Sequence, residues 1–172
     1  IINSPEDITA VGHRVVHGGS HFTSTTLITQ EVKDKIQSLA TLAPLHNPPN
    51  LEGIEVSEAI FKNAKQVAVF DTAFHKIRVY GFHGTSHKYV SEKAIEYLGG
   101  KSSRIISIHL GNGCSMTAIK DGKSIDHSLG FGPMNGLIMG TRSGDIDQSI
   151  IVYLMNSLGY TIEEINSMLQ KE

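Results

Sequence analysis

The sequence predicts an α/β protein, and three observations carry that reading. Two apolar runs, Ile105–Leu110 and Cys114–Ile119, are separated only by Gly111-Asn112-Gly113, which predicts a β-hairpin. Short strand-like runs, Ala10–Val16 and Val67–Phe70, each end where polar residues begin. Between and after them lie segments whose apolar residues recur at helical spacing.

The hairpin comes with a second turn, Lys120-Asp121-Gly122-Lys123, leading into Ser124–Leu129, so a three-strand meander is expected. Its first turn carries no bulky side chain, and its backbone N–H groups can approach an anion closely. His109, Asn112 and Ser115 put polar side chains around it. A plain tight hairpin would use the same residues, so the phosphate-gripping reading draws on the rest of the chain.

In chain order, Ala10–Val16 runs into His17-Gly18-Gly19-Ser20 and leaves Arg14 near a strand end, where α/β sheets usually bind ligands. Arg14 is equally suited to a surface ion pair, and His13, His17 and His21 read singly as solvated side chains. Thr29 to Ala43 reads as a helix with Thr29 as N-cap and Val32, Ile36 and Leu39 on one face. Pro44, Pro48 and Pro49 then stiffen a loop carrying His46 and Asn47, with Asn50 expected to cap a helix to about Ala64. That loop either joins two helices or walls a small substrate.

Asp71 stands just past Val67–Phe70, placed for a metal, a water or a substrate, or simply capping the next turn. Thr85 or Ser86 is expected to cap a helix bearing Val90, Ala94, Tyr97 and Leu98 and closed by Gly99-Gly100. His83 and His87 are four apart, but no H-E-x-x-H glutamate or third spaced ligand supports zinc. A histidine before a helix N-terminus suits an anion better. Phe131 to Asp145 is a loop of small residues around Arg142, an arginine suited to bidentate contact with phosphate or carboxylate. Asp145 is expected to open a helix with Ile146, Ile150, Ile151, Leu154 and Met155 as core, ended by Gly159. Thr161 and Glu164 form a capping box for a last helix with Ile165, Met168 and Leu169.

Composition narrows the partners. A net charge of -2 over 172 residues gives no reason to expect nucleic acid or a membrane surface. No apolar run approaches the ~20 residues of a membrane span. One cysteine, Cys114, excludes an internal disulfide and fits a reducing compartment, so a cytoplasmic protein is expected. Twelve of the 17 glycines fall between Gly81 and Gly144, which separates a glycine-rich later half from an earlier half of ordinary composition.

Together VGHRVVHGG (11–19), LAPLHNPPN (42–50), VFDTAFH (69–75), GFHGTSHKYVS (81–91), ISIHLGNGCS (106–115) and GLIMGTRSGDID (136–147) resemble the acetokinase family. That family lies in the acetate and sugar kinase, Hsp70 and actin superfamily. The motifs run across nearly the whole chain in the family's order, and GFHGTSH with MGTRSGDID is the specific pair. The resemblance implies an actin-like ATPase (ribonuclease H-like) fold of two duplicated domains around a cleft. Residues 1–75 would be the remainder of the first domain, and residues 76–172 the first part of the second.

By resemblance the activity is reversible phosphoryl transfer from ATP to acetate. Asp71, His83 and Arg142 would be catalytic, with His83 and Arg142 stabilising the transferring phosphoryl group. Arg14 would bind the substrate's carboxylate or phosphoryl group, and Val16, Leu45, Phe82 and Pro133 would line the acyl pocket. His109, Leu110, Gly111, Asn112 and Gly113 would touch the ATP phosphates. ATP or ADP with Mg2+ is the implied cofactor set, and a homodimer the implied assembly. The family's magnesium ligands are expected before Ile1 and after Glu172, so no metal ligand is assigned here. The connector between His75 and Tyr80 is shorter than the family's, a deletion or an omitted loop. Gly132, Met134 and Asn135 depart from the family's usual neighbours of Pro133.

Few carboxylates stand among the arginines and histidines of these loops, which suits bringing one anion to another. Asp71 is then expected to orient Arg14 or a metal-bound water, not to remove a proton. Propionate or butyrate is the alternative acyl group, with Val16 favouring the smaller acid by resemblance. An actin-like nucleotide module without small-acid kinase activity is the alternative of another class, and a zinc hydrolase using His83 and His87 a third.

Overall fold

A computed structural model describes residues 4–75, 80–100 and 103–171. In the first half, β1 (Ala10–Val15) is followed by a short β2 (Thr26–Leu27), α1 (Gln30–Ser38), α2 (Asn47–Ile60) and β3 (Lys65–Phe70). β1 and β3 are parallel, Arg14 beside Val69 and Val15 beside Phe70, and β2 joins the other edge of β3 antiparallel. The β-branched and aromatic residues of β1 and β3 send Val15, Ala68 and Phe70 into a core with Ile28, Val32, Ile36 and Ile54. Phe22 stacks flat on Phe70, their ring centroids 4.4 Å apart. Each of these larger side chains contributes about 1.5–3 kcal/mol when fully buried.

In the second half, α3 (Gly84–Tyr97) precedes β4 (Arg104–Leu110), β5 (Cys114–Lys120) and β6 (Lys123–His127). The three strands form the expected antiparallel meander in sequential order. Asp121 and Gly122 both take positive φ (49° and 74°), the type I′ turn that follows strand twist. α4 (Gln148–Leu158) and α5 (Ile162–Lys171) complete the chain, α5 with its Thr161–Glu164 capping box in place. The halves share a second apolar cluster in which Val16 and Ala43 meet Phe82, Cys114, Leu129 and Met139.

Several expectations need correction. α1 stops at Ser38 and its tail tightens into a 3₁₀ turn, Leu39–Thr41, short of Ala43. α2 begins at Asn47, because Pro48 and Pro49 sit in its first turn, where no intrahelical N–H is needed. Asn50 is therefore no cap; its Oδ1 accepts from Val16 N at 3.1 Å. His83, in the left-handed region (φ 58°), takes the N-cap position of α3 without a side-chain cap bond, and Thr85 and Ser86 lie inside the helix. Its buried face is Gly84, His87 and Ser91, while Val90, Tyr97 and Leu98 are exposed. Asp147, not Asp145, caps α4, because Asp145 instead accepts from Gly136 N at 2.7 Å. The α4 stripe expected as core is only partly covered: Ile146, Ile150 and Met155 are exposed, and Ile151 and Leu154 half-buried.

Candidate active site

Parallel pairing brings the C-terminal ends of β1 and β3 together, and Asp71 N continues the ladder to Val15 O at 3.0 Å. Arg14 and Asp71, 57 residues apart, then meet. Arg14 Nε donates to Asp71 Oδ1 and Oδ2 at 3.1 and 3.0 Å, and Nη2 donates to Oδ2. The carboxylate is 2% exposed but the arginine side chain 64%, so the guanidinium is anchored on one side and open on the other. The Asp71 hydrogen bonds raise the Arg14 pKa further above its ordinary value. Thr85 Oγ1 adds a bond to Oδ1 at 3.2 Å.

α3 arrives at the same place head first. Gly84 N donates to Asp71 O at 3.0 Å, and a Cβ on Gly84 would stand 2.2 Å from that oxygen. Only glycine permits the approach. His83, directly before it, lies under the His109 ring (4.1 Å, stacked) and shares a 2.8 Å hydrogen bond with Ser115 through Nδ1. Burial pushes His83 down to about 4; His109, Arg14 and Arg142 push the same way, and the Asp71 carboxylate opposes them. The ring is neutral at pH 7.

The Gly111-Asn112-Gly113 turn closes through Gly111 N to Gly113 O, 2.9 Å. Neither glycine has positive φ. Gly113 serves for space instead: a Cβ there would lie 3.2 Å from Arg142 Nη1 and 3.4 Å from His83 Cε1. The loop carrying Arg142 is tied to the turn by Gly140 N to Asn112 O (3.2 Å). Arg142 Nη1 donates to Pro133 O at 3.0 Å, and among the described residues no carboxylate pairs with this guanidinium. One arginine is thus oriented and compensated by a carboxylate, the other half-buried with no described carboxylate beside it.

Val16 and Phe82 are buried in the shared apolar cluster, and Pro133 is held through its carbonyl by Arg142. Leu45 is 79% exposed and stands outside that cluster; Leu110 is 78% exposed. Arg14, Asp71, His83 and Arg142 do not line the groove of about 650 Å³ between Thr25, Phe70, Thr85 and Lys88. Sequence reasoning gave Thr85 and Ser86 only a helix-capping role, His46 only a place in a proline-stiffened loop, His87 only a discounted zinc spacing, and Ser107 no role. His46 stands at the N-cap position of α2 without a side-chain cap bond, and its pKa is lowered by burial, then by Arg14 and Arg142, with Asp71 opposing. The i, i+4 spacing of His83 and His87 was the available signal. No group of three metal-ligating side chains gathers among the described residues.

The Acetokinase family model matches residues 1–77 and 75–172. The chain belongs to the acetokinase family. Acetate kinase of Flavobacterium johnsoniae is 64% identical over 192 aligned positions, covering all of this chain and 48% of that one. Acetate kinase of Oceanobacillus iheyensis is 50% identical, with 100% and 49% covered. A propionate kinase structure from Francisella tularensis superposes with TM-score 0.89 at 50% identity, covering 96% of this chain and 48% of that one. The acetate kinase structure from Porphyromonas gingivalis gives 0.90 at 45%, covering 99% and 48%. The mixed α/β fold is thus that of an acetokinase portion, consistent with part of an actin-like ATPase. The chain spans about half the length of the curated relatives it matches. The family match divides at 75–77, beside the short connector, whose residues 76–79 lie outside the described residues. Among the described residues no helix is long and apolar enough to cross a membrane.

Proposed function

We propose that this chain is the central part of a cytoplasmic, homodimeric acetate kinase that transfers the γ-phosphoryl group of ATP to acetate, reversibly. The observation that carries the reading is the meeting of Arg142, free of any described carboxylate, with the neutral His83 ring at Gly113. A polyanion needs such a place. In the reaction the bond from the γ-phosphorus to the ADP oxygen breaks, and one to a carboxylate oxygen forms. No proton needs removing, since carboxylic acids with pKa near ~4 are already ionised. Positioning and positive charge therefore dominate.

On this reading Arg14 holds the acetate carboxylate and Asp71 orients Arg14. His83 and Arg142 stabilise the transferring group, and His109, Leu110, Gly111, Asn112 and Gly113 contact the nucleotide phosphates. Val16, Phe82 and Pro133 bound the acyl pocket, with Leu45 at its exposed rim. Residues 1–75 belong to one domain and residues 76–172 to the next. Asp71 has both oxygens engaged by Arg14 and Thr85, and among the described residues no set of three metal-ligating groups is present. The described residues therefore do not fit a complete Mg2+ site, and no step is assigned to the metal.

The test compares turnover of the full chain with ATP on acetate, propionate and butyrate, beside Arg14→Ala. Acetate should give the highest kcat/KM, and Arg14→Ala should abolish transfer to it. The likeness to a propionate kinase at 50% identity makes propionate the second reading, favoured if its kcat/KM exceeds that of acetate. ATP hydrolysis indifferent both to carboxylates and to Arg14→Ala would instead indicate a nucleotide module of the actin type.

A further inference from the structure

Behind His83 an unbroken line of polar side chains runs back into the meander. Ser107 Oγ, on β4, is 2.9 Å from His87 Nδ1; His87 Nε2 is 2.8 Å from Ser115 Oγ; and Ser115 Oγ is 2.8 Å from His83 Nδ1. Ser107, His87 and Ser115 are buried, at 4%, 0% and 1% exposure. Burial pushes His87, like His83, down to about 4. Each imidazole therefore carries one N–H at neutral pH, and each hydroxyl one O–H.

A neutral imidazole that accepts at one nitrogen donates at the other, and Ser115 accepting from both rings would strand its own buried O–H, so two arrangements keep a continuous line of donors and acceptors. In the first, Ser107 donates to His87 Nδ1, His87 Nε2–H to Ser115, and Ser115 to His83 Nδ1. Every proton in the line has an acceptor, and the last N–H, on His83 Nε2, is free for the site. In the reverse, His83 Nδ1–H donates to Ser115, Ser115 to His87 Nε2, and His87 Nδ1–H to Ser107. The Ser107 O–H is then stranded, with no other hydrogen-bond partner among the described residues. Its cross-strand neighbour Thr117 is out of hydrogen-bonding reach, since Thr117 Oγ1 makes no hydrogen bond to any described residue. A buried donor with no acceptor is strongly disfavoured. The reverse would also turn a bare lone pair of His83 toward an arriving anion. The edge in question faces the site: a Cβ on Gly113 would lie 3.4 Å from His83 Cε1, 3.5 Å from Nε2 and 3.2 Å from Arg142 Nη1.

We infer that Ser107, His87 and Ser115 are positioning residues that hold the ring proton of His83 on Nε2, so that His83 meets the transferring phosphoryl group as an N–H donor beside Arg142. The last clause rests on the function proposed above; the placement of the proton does not. The test is 15N NMR of the histidine rings in the full chain at neutral pH, which tells a protonated ring nitrogen from a bare one. His83 and His87 should each be protonated on Nε2 and bare on Nδ1. His83 protonated on Nδ1, or on both nitrogens, overturns the inference. Ser115→Ala should mix the two His83 tautomers and lower kcat about tenfold with the KM for ATP unchanged, the worth of about one hydrogen bond. Ser115→Thr, which keeps the hydroxyl, should restore both. If Ser115→Ala lowers kcat while the His83 proton stays on Nε2, Ser115 acts by packing and the inference fails. Should the alanine variant not fold, the spectrum of the unmodified protein decides alone. A protein with the expected spectrum that phosphorylates no short-chain carboxylate leaves the proton placement standing and refutes the proposed function. An active carboxylate kinase with His83 protonated on Nδ1 does the opposite.

Discussion

Replacing Arg142 by alanine removes the one site cation that no described carboxylate offsets. A guanidinium about 4 Å from a phosphoryl oxygen, at the effective dielectric of ~20 that suits a half-buried site, contributes about 4 kcal/mol per unit charge. If that interaction strengthens only as charge spreads over the transferring group, its loss costs about 10³ in kcat. The variant also loses the Arg142–Pro133 bond, which at this partly exposed position is worth about 1 kcal/mol and a few °C in Tm. Arg142→Lys keeps a point charge but not the fork that reaches both Pro133 and a ligand, and should fall between wild type and alanine. Initial rates in both directions, ATP affinity by equilibrium binding and Tm by thermal unfolding separate these contributions. A kcat within tenfold of wild type would refute the electrostatic account. A parallel loss of kcat and ATP affinity would make Arg142 a binding residue instead.

Other perturbations test the scaffold that delivers these groups. Gly84→Ala would put a Cβ 2.2 Å from the Asp71 carbonyl oxygen, a backbone atom that cannot step aside; a loss on the order of 3 kcal/mol is expected in urea unfolding, and an unchanged midpoint would contradict the docking of α3 on Asp71. Asn47, fully buried, accepts from His17 N and donates to His17 O and Ile36 O; Asn47→Ala should cost about 2–4 kcal/mol, and Asn47→Asp should not repair it, since a carboxylate cannot donate. Burial holds His75, His83 and His87 down to about 4, so the folded state binds fewer protons than the unfolded one below the ordinary histidine value of ~6.5. Their contribution to stability is complete above that value and is lost progressively as pH falls toward about 4. Unfolding free energy that stays level from pH 7 to 4.5 would show these rings to be solvated.

What was legible in the sequence was what neighbours in sequence decide. The meander could be read because Gly111-Asn112-Gly113 and Asp121-Gly122 each close a turn between strands already next to each other. Helix ends were misread wherever a polar side chain had a distant claimant. Asn50 goes to Val16, Asp145 to Gly136, and Thr85 to Asp71, so each leaves the cap its local pattern promised. The α4 stripe states that a face is apolar, not that these residues bury it. The same distinction separates the parts of the site. Arg14, Asp71, His83 and Arg142 announce themselves as charged or titratable residues at strand ends and in glycine-rich loops. Ser107 looks like an ordinary small residue of a strand, Ser115 like one more polar group at the turn, and His87 like an idle partner in a zinc spacing. Their bearing on His83 exists only once β4, β5 and α3 are packed, because a proton's place along a line of hydroxyls and imidazoles depends on which end lacks an acceptor. That end, Ser107, lies 24 residues along the chain from His83, and no pattern in the intervening sequence records the bond pairing.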